Sequence, residues 1–86
     1  MNENYIGMLA ASSAGHDKGS IYVIIDADGA YVYLVDGKTR TLDRPKKKKY
    51  RHIQIIKKQY DIRGIEDAKI RRIVKEWKKE EVKQED

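Results

Sequence analysis

The chain has 86 residues, a formal net charge of +5 and no cysteine. This length allows one domain with a small core, and the lack of cysteine excludes disulfide bonds and cysteine-ligated zinc. The sequence contains no secretion-signal pattern and no apolar run near the roughly 18 residues of a membrane span. Because small secreted domains usually depend on disulfides, we expect a soluble cytoplasmic protein.

Five short strands are predicted in the N-terminal two thirds of the chain. Their ranges are 6–12, 21–25, 30–35, 38–42 and 51–56. The second is the clearest, because it is β-branched or aromatic throughout and apolar on both faces. Asp28-Gly29 and Asp36-Gly37 separate later strands, and Asp-Gly in this position is a strong hairpin signal. We expect a small, strongly twisted five-stranded barrel, which would leave no exposed sheet edges.

The spacing of apolar residues changes after Gly64 from a strand pattern to a helical one. The apolar positions recur at steps of three and four residues: Ile65, Ala68, Ile70, Ile73, Val74 and Trp77. We predict an amphipathic helix over 65–81, in which Trp77 is a packing anchor. The expected architecture is therefore mainly β, with a barrel over 1–60 and a C-terminal helix and tail over 61–86.

Two phosphate- or metal-binding loop motifs are suggested by short segments but excluded by their spacing. Asp36-Gly37-Lys38-Thr39 is similar to the end of a P-loop, but Val32 occupies the position of that motif's first glycine. A strand rather than a helix is also predicted to follow it. Residues 26–37 lack the glycine and the final acidic residue that a calcium-binding loop requires at its sixth and twelfth positions.

The histidines and the serine near them do not form a recognisable catalytic or metal site. His16 and His52 are far apart in the chain and lack further ligands at metal-binding spacing. Ser13, His16 and Asp17 lie in one turn, where neighbouring side chains rarely face each other as a catalytic triad requires. We therefore expect no enzyme activity, no cofactor, no metal and no small-molecule substrate.

The positive charge is concentrated in the middle of the chain. Residues 38–64 contain eleven Lys and Arg against two acidic residues, whereas residues 1–37 are net acidic and residues 65–86 are balanced. Such a distribution predicts a polyanion-binding surface. The run Lys46–Lys49 is predicted to be a flexible anion-binding loop between the fourth and fifth strands. The alternative is a solvated loop that only improves solubility.

Long cationic side chains suit phosphate groups, and exposed tyrosines can stack on unpaired bases. The candidate phosphate contacts are Lys18, Lys38, Arg40, Arg44, Lys46, Lys47, Lys48, Lys49, Arg51, Lys57 and Lys58. Lys38 and Arg40 are expected to project from one face of the predicted fourth strand. Tyr50 is the best candidate for base stacking, whereas Tyr22, Tyr31 and Tyr33 are expected to cover the small core.

Four features of residues 5–56 occur together in order along the chain. They are Ile6-Gly7, Ser13-Ala14-Gly15-His16-Asp17-Lys18-Gly19 before an apolar strand, the Asp-Gly hairpin, and Pro45-Lys46-Lys47-Lys48-Lys49 followed by Arg51-His52-Ile53. With these features, residues 5–56 resemble the KOW motif. The chain is most similar to small bacterial KOW-domain RNA-binding proteins, which are related to a KOW-class protein of the archaeal and eukaryotic large ribosomal subunit.

The resemblance implies an SH3-like barrel whose first loop contacts RNA together with neighbouring basic residues. By position, Gly15 and Gly19 would shape that loop, Asp17 would fix its turn and Lys18 would meet phosphate. The expected function is a non-catalytic RNA-binding module that associates with ribosomal or other structured RNA in translation, with ribosomal or other proteins as further partners and no membrane.

The alternative is an SH3-like protein–protein interaction module that uses the C-terminal helix. In that case Ile70, Ile73 and Trp77 would dock on a partner or on a second copy of the chain. The position of Trp77 distinguishes the two hypotheses. If Trp77 packs against the strands, the helix is structural; if it is exposed beside the two isoleucines, an interface is expected.

Overall fold

The computed structural model describes residues 5–84, and the side chains of residues 5–80. The described residues form a mainly β domain with one helix, as predicted. The elements are β1 (Met8–Ser12), β2 (Ile21–Asp28), β3 (Tyr31–Val35), β4 (Lys46–Lys49), a three-residue 3-10 helix (Tyr50–His52), β5 (Ile53–Gln59) and α1 (Asp67–Gln84). Within these residues no helix combines the length and the apolar character needed to cross a membrane.

All strands belong to one antiparallel sheet with the order β4-β3-β2-β1-β5. The backbone pairing leaves β4 and β5 at its two edges, so the sheet is open, although β4 and β5 are consecutive in the chain. In a flat sheet four strand spacings would separate them by about 19 Å. The four Cα steps from Lys49 to Ile53 reach at most about 14 Å. The sheet is therefore strongly curled.

The fourth strand is not the one that the sequence predicted. Residues 38–42 form bends and a turn, whereas Lys46–Lys49 pair with β3 in the register Val32↔Lys48 and Tyr33↔Lys47. The predicted strand fails because the Asp36 carboxylate accepts the backbone N–H groups of Lys38 (2.9 Å) and Arg40 (2.8 Å). A side chain that captures nearby amides in this way replaces the hydrogen bonds of a strand.

The sheet is apolar on both faces, and the two sets of buried residues alternate along β1 and β2 as strand geometry requires. One set packs against the helix: Leu9, Val23, Val35, Ile70, Ile73 and Val74. The other lies on the opposite face: Ala10, Tyr22, Ile24, Val32 and Leu34. The prediction that the second strand is buried on both faces is confirmed. Trp77 is half-buried against the helix-side set, so the helix belongs to the core of the domain.

The turn after β3 is held against the first turns of α1. The Asp67 carboxylate accepts the Leu42 N–H at 2.9 Å, and the Arg71 guanidinium donates to the Gly37 carbonyl at 3.0 Å. A Cβ on Gly37 would overlap the Asp67 carbonyl oxygen and lie 2.6 Å from the Arg71 nitrogen. The Asp36-Gly37 pair is therefore a site of backbone contact with the helix, not the hairpin turn that was predicted. The helix itself begins two residues later than predicted, at Asp67.

Candidate nucleic-acid interface

Asp17, in the loop between β1 and β2, is the centre of a buried polar cluster. One carboxylate oxygen accepts hydrogen bonds from the Ser12 hydroxyl (2.9 Å) and the Lys48 ammonium (3.0 Å). The other accepts from the Tyr22 hydroxyl (2.9 Å) and lies 3.3 Å from the Lys46 nitrogen. Only 13% of the Asp17 side chain is exposed. One carboxylate thus joins β1, β2 and the edge strand β4.

The two titratable acidic groups of the cluster are the Asp17 carboxyl and the Tyr22 hydroxyl. At neutral pH the first stays ionised and the second stays protonated. Burial alone would raise the pKa of Asp17, but hydrogen bonds from Lys48, Ser12, Tyr22 and Lys46 outweigh it and keep that pKa well below its ordinary value. Burial, followed by the contact with Asp17, raises the pKa of Tyr22 to about 12. A general acid or base needs a pKa near the working pH, so this cluster is suited to structure and not to proton transfer.

This cluster changes the interpretation of the lysine run. The run is a strand and not the flexible loop that was predicted, so its side chains alternate between two faces. Lys46 and Lys48 point toward Asp17, and Lys48, which is 10% exposed, also donates to the Ala14 carbonyl at 2.9 Å. Lys47 and Lys49 are exposed on the other face. Two of the four lysines are therefore occupied by the protein itself.

The Asp17 loop has the backbone that its glycines suggest. Gly15 and Gly19, to which the KOW resemblance assigns a loop-shaping role, have positive φ angles of 87° and 92°. The Lys18 side chain between them is exposed. The Asp17 carboxylate does more than fix a turn, because it holds the whole loop against β4.

Lys49 borders a groove at the end where β4 meets the β2–β3 hairpin. The groove has a volume of about 830 Å³ and is lined by Tyr5, Gly29, Ala30, Tyr31, Lys49, Tyr50 and Arg51. We call it the tyrosine groove. The Tyr50 ring stacks on Tyr5 with centroids 5.6 Å apart, and the Tyr50 N–H donates to the Ala30 carbonyl at 2.7 Å. The hairpin, the start of the 3-10 helix and the N-terminal segment therefore build one concave surface.

Cations surround the aromatic rings of the tyrosine groove. The Lys47 ammonium lies 4.4 Å from the centroid of the Tyr31 ring, a cation–π contact, and the Lys49 and Arg51 side chains are exposed at the groove. Aromatic faces beside mobile cations are the combination by which proteins hold a base and its phosphate together. The groove can therefore accept an anionic ligand that carries a flat ring.

The structure brings only some of the predicted site residues together. Lys49, Tyr50 and Arg51 line the tyrosine groove, and Lys47 contacts the Tyr31 ring there. Lys58 instead pairs with Glu80 of α1 at 3.1 Å and lies 5.8 Å from the centre of the Trp77 ring.

The remaining candidate cations are separated by the fold. Lys38 and the half-exposed Arg40 lie in the turn after β3, so they do not share a strand face. Arg44 is exposed in the following bend, and Lys57 is exposed on β5. The candidate cations thus occupy several parts of the surface and not one continuous face.

Tyr5 and Tyr31 line the groove but were not selected as site residues from the sequence. The sequence, which contains no Phe, predicts that Tyr31 covers the small core. Its position opposite Lys49 in the β3–β4 register brings it to the groove. A fourth strand over 38–42 does not give this register, whereas Lys46–Lys49 pairs the tyrosines of β3 with lysines of β4.

Comparisons with known proteins give no assignment: no family model matches the chain, and no curated protein matches it significantly. Among the residues that the structure describes, no group of three or more His, Asp or Glu side chains is arranged to hold a metal ion.

Proposed function

We propose that this protein is a non-catalytic RNA-binding module in which the tyrosine groove and its cations hold an unpaired segment of a structured RNA. The observation that carries the proposal is that Lys49 and Arg51 line one groove with three tyrosine rings, while Lys47 contacts the Tyr31 ring of that groove. Single-stranded loops and ends of RNA present their bases for stacking, and the cations supply contacts to the phosphates.

The fold is compatible with the resemblance to KOW domains. We infer an SH3-like roll, because the sheet curls until its two edge strands are joined by only three residues, and because Asp17 links β4 to β1 and β2 through side chains. In this proposal the ligand is ribosomal or another structured RNA in the cytoplasm, and ribosomal proteins are further candidate partners.

The alternative, protein interaction through the helix, has less support. Ile70 and Ile73 are 0% and 4% exposed and pack against the sheet, and Trp77 packs beside them. A partner could reach this apolar face only if α1 left the sheet. Such a step would expose buried apolar surface in a domain with a small core.

The test is RNA titration with two charge-matched double variants. The first, Lys47→Gln with Lys49→Gln, removes the outward lysines of β4; the control, Arg63→Gln with Lys69→Gln, removes two exposed cations outside the groove. Each phosphate contact to single-stranded RNA contributes about 0.7 to the slope of log affinity against log salt. We expect the β4 variant to lose about 1.4 of that slope and bind about 10- to 30-fold more weakly at 0.1 M salt.

The salt slope of the control variant should differ from that of wild type by no more than about half of the 0.7 that one phosphate contact contributes. Equal losses in both variants would mean that binding reflects net charge and not the groove. Wild-type protein that ignores single-stranded ribosomal RNA fragments at 20 mM salt, or binds them with a flat salt response, would contradict the proposal itself.

A further inference from the structure

Most of the cations of α1 lie on one side of the helix, which carries seven Lys and Arg against four acidic residues. At 100° per residue, five cations fall within one sector of about 120°: Arg71, Arg72, Lys75, Lys78 and Lys79. Glu76 and Glu80 lie about 40° and 80° beyond the Arg72 edge of this sector, and Glu80 pairs with Lys58 of β5. The balanced charge of residues 65–86 does not reveal this cationic sector.

Three cations of this sector, Arg71, Lys75 and Lys78, form a second groove with the turn after β3. This groove has a volume of about 550 Å³ and is lined by Asp36, Lys38, Arg71, Val74, Lys75 and Lys78. We call it the helix groove. Its single acid is Asp36, and one oxygen of this carboxylate accepts the backbone N–H groups of both Lys38 and Arg40. Among the described side chains, none of the four cations of this groove lies within ion-pair distance of a carboxylate.

The position of Lys38 relative to the helix is fixed by the backbone. Gly37 packs directly on the helix backbone, Arg71 donates to its carbonyl, and the Leu42 N–H binds the Asp67 carboxylate. The turn therefore cannot swing away to reduce the repulsion between Lys38 and the helix cations. A cluster of like charges held together in this way attracts anions into the groove.

We infer that the helix groove is a second phosphate-binding site, contacted by the backbone of the same RNA that enters the tyrosine groove. The identity of the polymer rests on the proposed function, whereas the anion site does not. Tyr31 and Asp36, one at each groove, are five residues apart along β3, which corresponds to about 17 Å. An RNA must therefore extend over several nucleotides to occupy both.

A phosphate polymer fits this surface better than a lipid bilayer does. A helix that binds at a membrane surface inserts an apolar face next to its cations. The apolar face of α1 is already used, because Ile70, Ile73 and Val74 are buried against the sheet. The helix groove therefore offers charge without an exposed apolar face to insert.

The decisive variant is Lys75→Gln with Lys78→Gln, compared with the same control, Arg63→Gln with Lys69→Gln, whose two cations line neither groove. With a 15-nucleotide single-stranded RNA we expect a loss of about 1.4 in salt slope and about 10- to 30-fold in affinity at 0.1 M salt, because two phosphate contacts disappear. With a trinucleotide that occupies only the tyrosine groove, the same variant should bind within twofold of wild type. Wild-type affinity for the long RNA would overturn the inference, as would equal losses in the control.

A second measurement separates this inference from the proposed function. Inorganic pyrophosphate is titrated into the folded protein, and backbone amide NMR signals of residues 36–40 and 71–78 are followed. We expect shifts there in wild type and in Lys47→Gln with Lys49→Gln, but not in Lys75→Gln with Lys78→Gln. No shift in wild type would overturn the site. Shifts without any RNA binding would retain the site and reject the proposed function.

Anionic vesicles test the remaining class of ligand. Vesicles containing 30 mol% phosphatidylserine should not bind the protein at 0.1 M salt more tightly than neutral vesicles do. Tight vesicle binding that is lost in Lys75→Gln with Lys78→Gln, together with unchanged RNA binding by that variant, would overturn the assignment to RNA.

Discussion

The Lys48 ammonium donates to the Asp17 carboxylate at 3.0 Å, across strands that are not neighbours in the sheet. Lys48 lies on the edge strand β4, and Asp17 follows β1, which β3 and β2 separate from β4. This side-chain contact joins β4 to the loop after β1, although no backbone hydrogen bonds pair β4 with β1 or β2. The resulting arrangement also turns Lys47 and Lys49 outward to the tyrosine groove, so one buried carboxylate orients the surface that we propose binds RNA.

Replacing Asp17 with Asn should destabilise the fold. The substitution leaves the Lys48 and Lys46 ammonium groups, of which 10% and 26% of the side chains are exposed, without their counter-charge. Removal of one partner of a buried ion pair costs about 3–5 kcal/mol, and the partial exposure of Lys46 lowers our expectation to about 2–3 kcal/mol. Urea unfolding measures the loss. Asp43→Asn, at an exposed carboxylate, is the control and should change the midpoint little.

The same cluster predicts how stability depends on pH at both extremes. The folded-state pKa of Asp17 lies below the unfolded value of about 3.9, so its contribution is present above that pH and is lost as the pH falls further. The pKa of Tyr22 is raised to about 12, so its contribution is present below the unfolded value of about 10 and is lost as the pH rises toward 12.

Urea midpoints measured from pH 2 to pH 11.5 check both limbs. Asp17→Asn should remove most of the decrease in urea midpoint that this cluster causes at acid pH. Tyr22→Phe should flatten the decline above pH 10 while keeping the acid limb. An unaltered alkaline limb in Tyr22→Phe would show that the Tyr22 hydroxyl does not titrate with folding.

Gly37→Ala should be much more harmful than Gly29→Ala. Both glycines have positive φ, 77° and 59°, so both substitutions carry the backbone cost of about 1 kcal/mol. Only Gly37 lacks space, because its Cβ would meet the backbone of Asp67 and Arg71, whereas nothing lies within 4 Å of a Cβ on Gly29. We expect Gly37→Ala to cost at least about 2 kcal/mol more, since helix and turn must separate. Comparable unfolding midpoints would mean that this contact is not tight.

Tyr31→Leu should weaken binding of single-stranded RNA, whereas Tyr33→Leu should not. Both side chains lie on the same face of β3 and are half-buried, but only Tyr31 lines the tyrosine groove. Loss of a base–aromatic stack costs about 1–3 kcal/mol, so an affinity loss of at least about fivefold is expected at constant salt slope. Fluorescence anisotropy with a labelled 15-nucleotide RNA measures it. A similar loss in Tyr33→Leu would place the stacked base outside the groove.

The sequence by itself determined the elements whose patterns are local. β-branched and aromatic composition identifies β2 and β3, period-two alternation identifies β5, and three- and four-residue steps identify α1 to within a few residues at each end. The apolar composition of residues 21–25 also predicts that this part of β2 is buried on both faces, because each face needs other residues to shield it from water. These elements, and the burial of β2, are determined by residues that lie only a few positions apart in the sequence.

Only the tertiary structure decided which residues form β4 and where the charges lie. Four adjacent lysines have no local reason to form a strand. They form one because Asp17, about thirty residues earlier, neutralises two of them and β3 pairs with all four. The tyrosine groove and the helix groove likewise depend on register and on helix docking, which join residues far apart in the chain. Sequence periodicity reports only on residues that are close together in the chain. A binding surface is formed by residues that are distant in the chain and that the tertiary fold brings together.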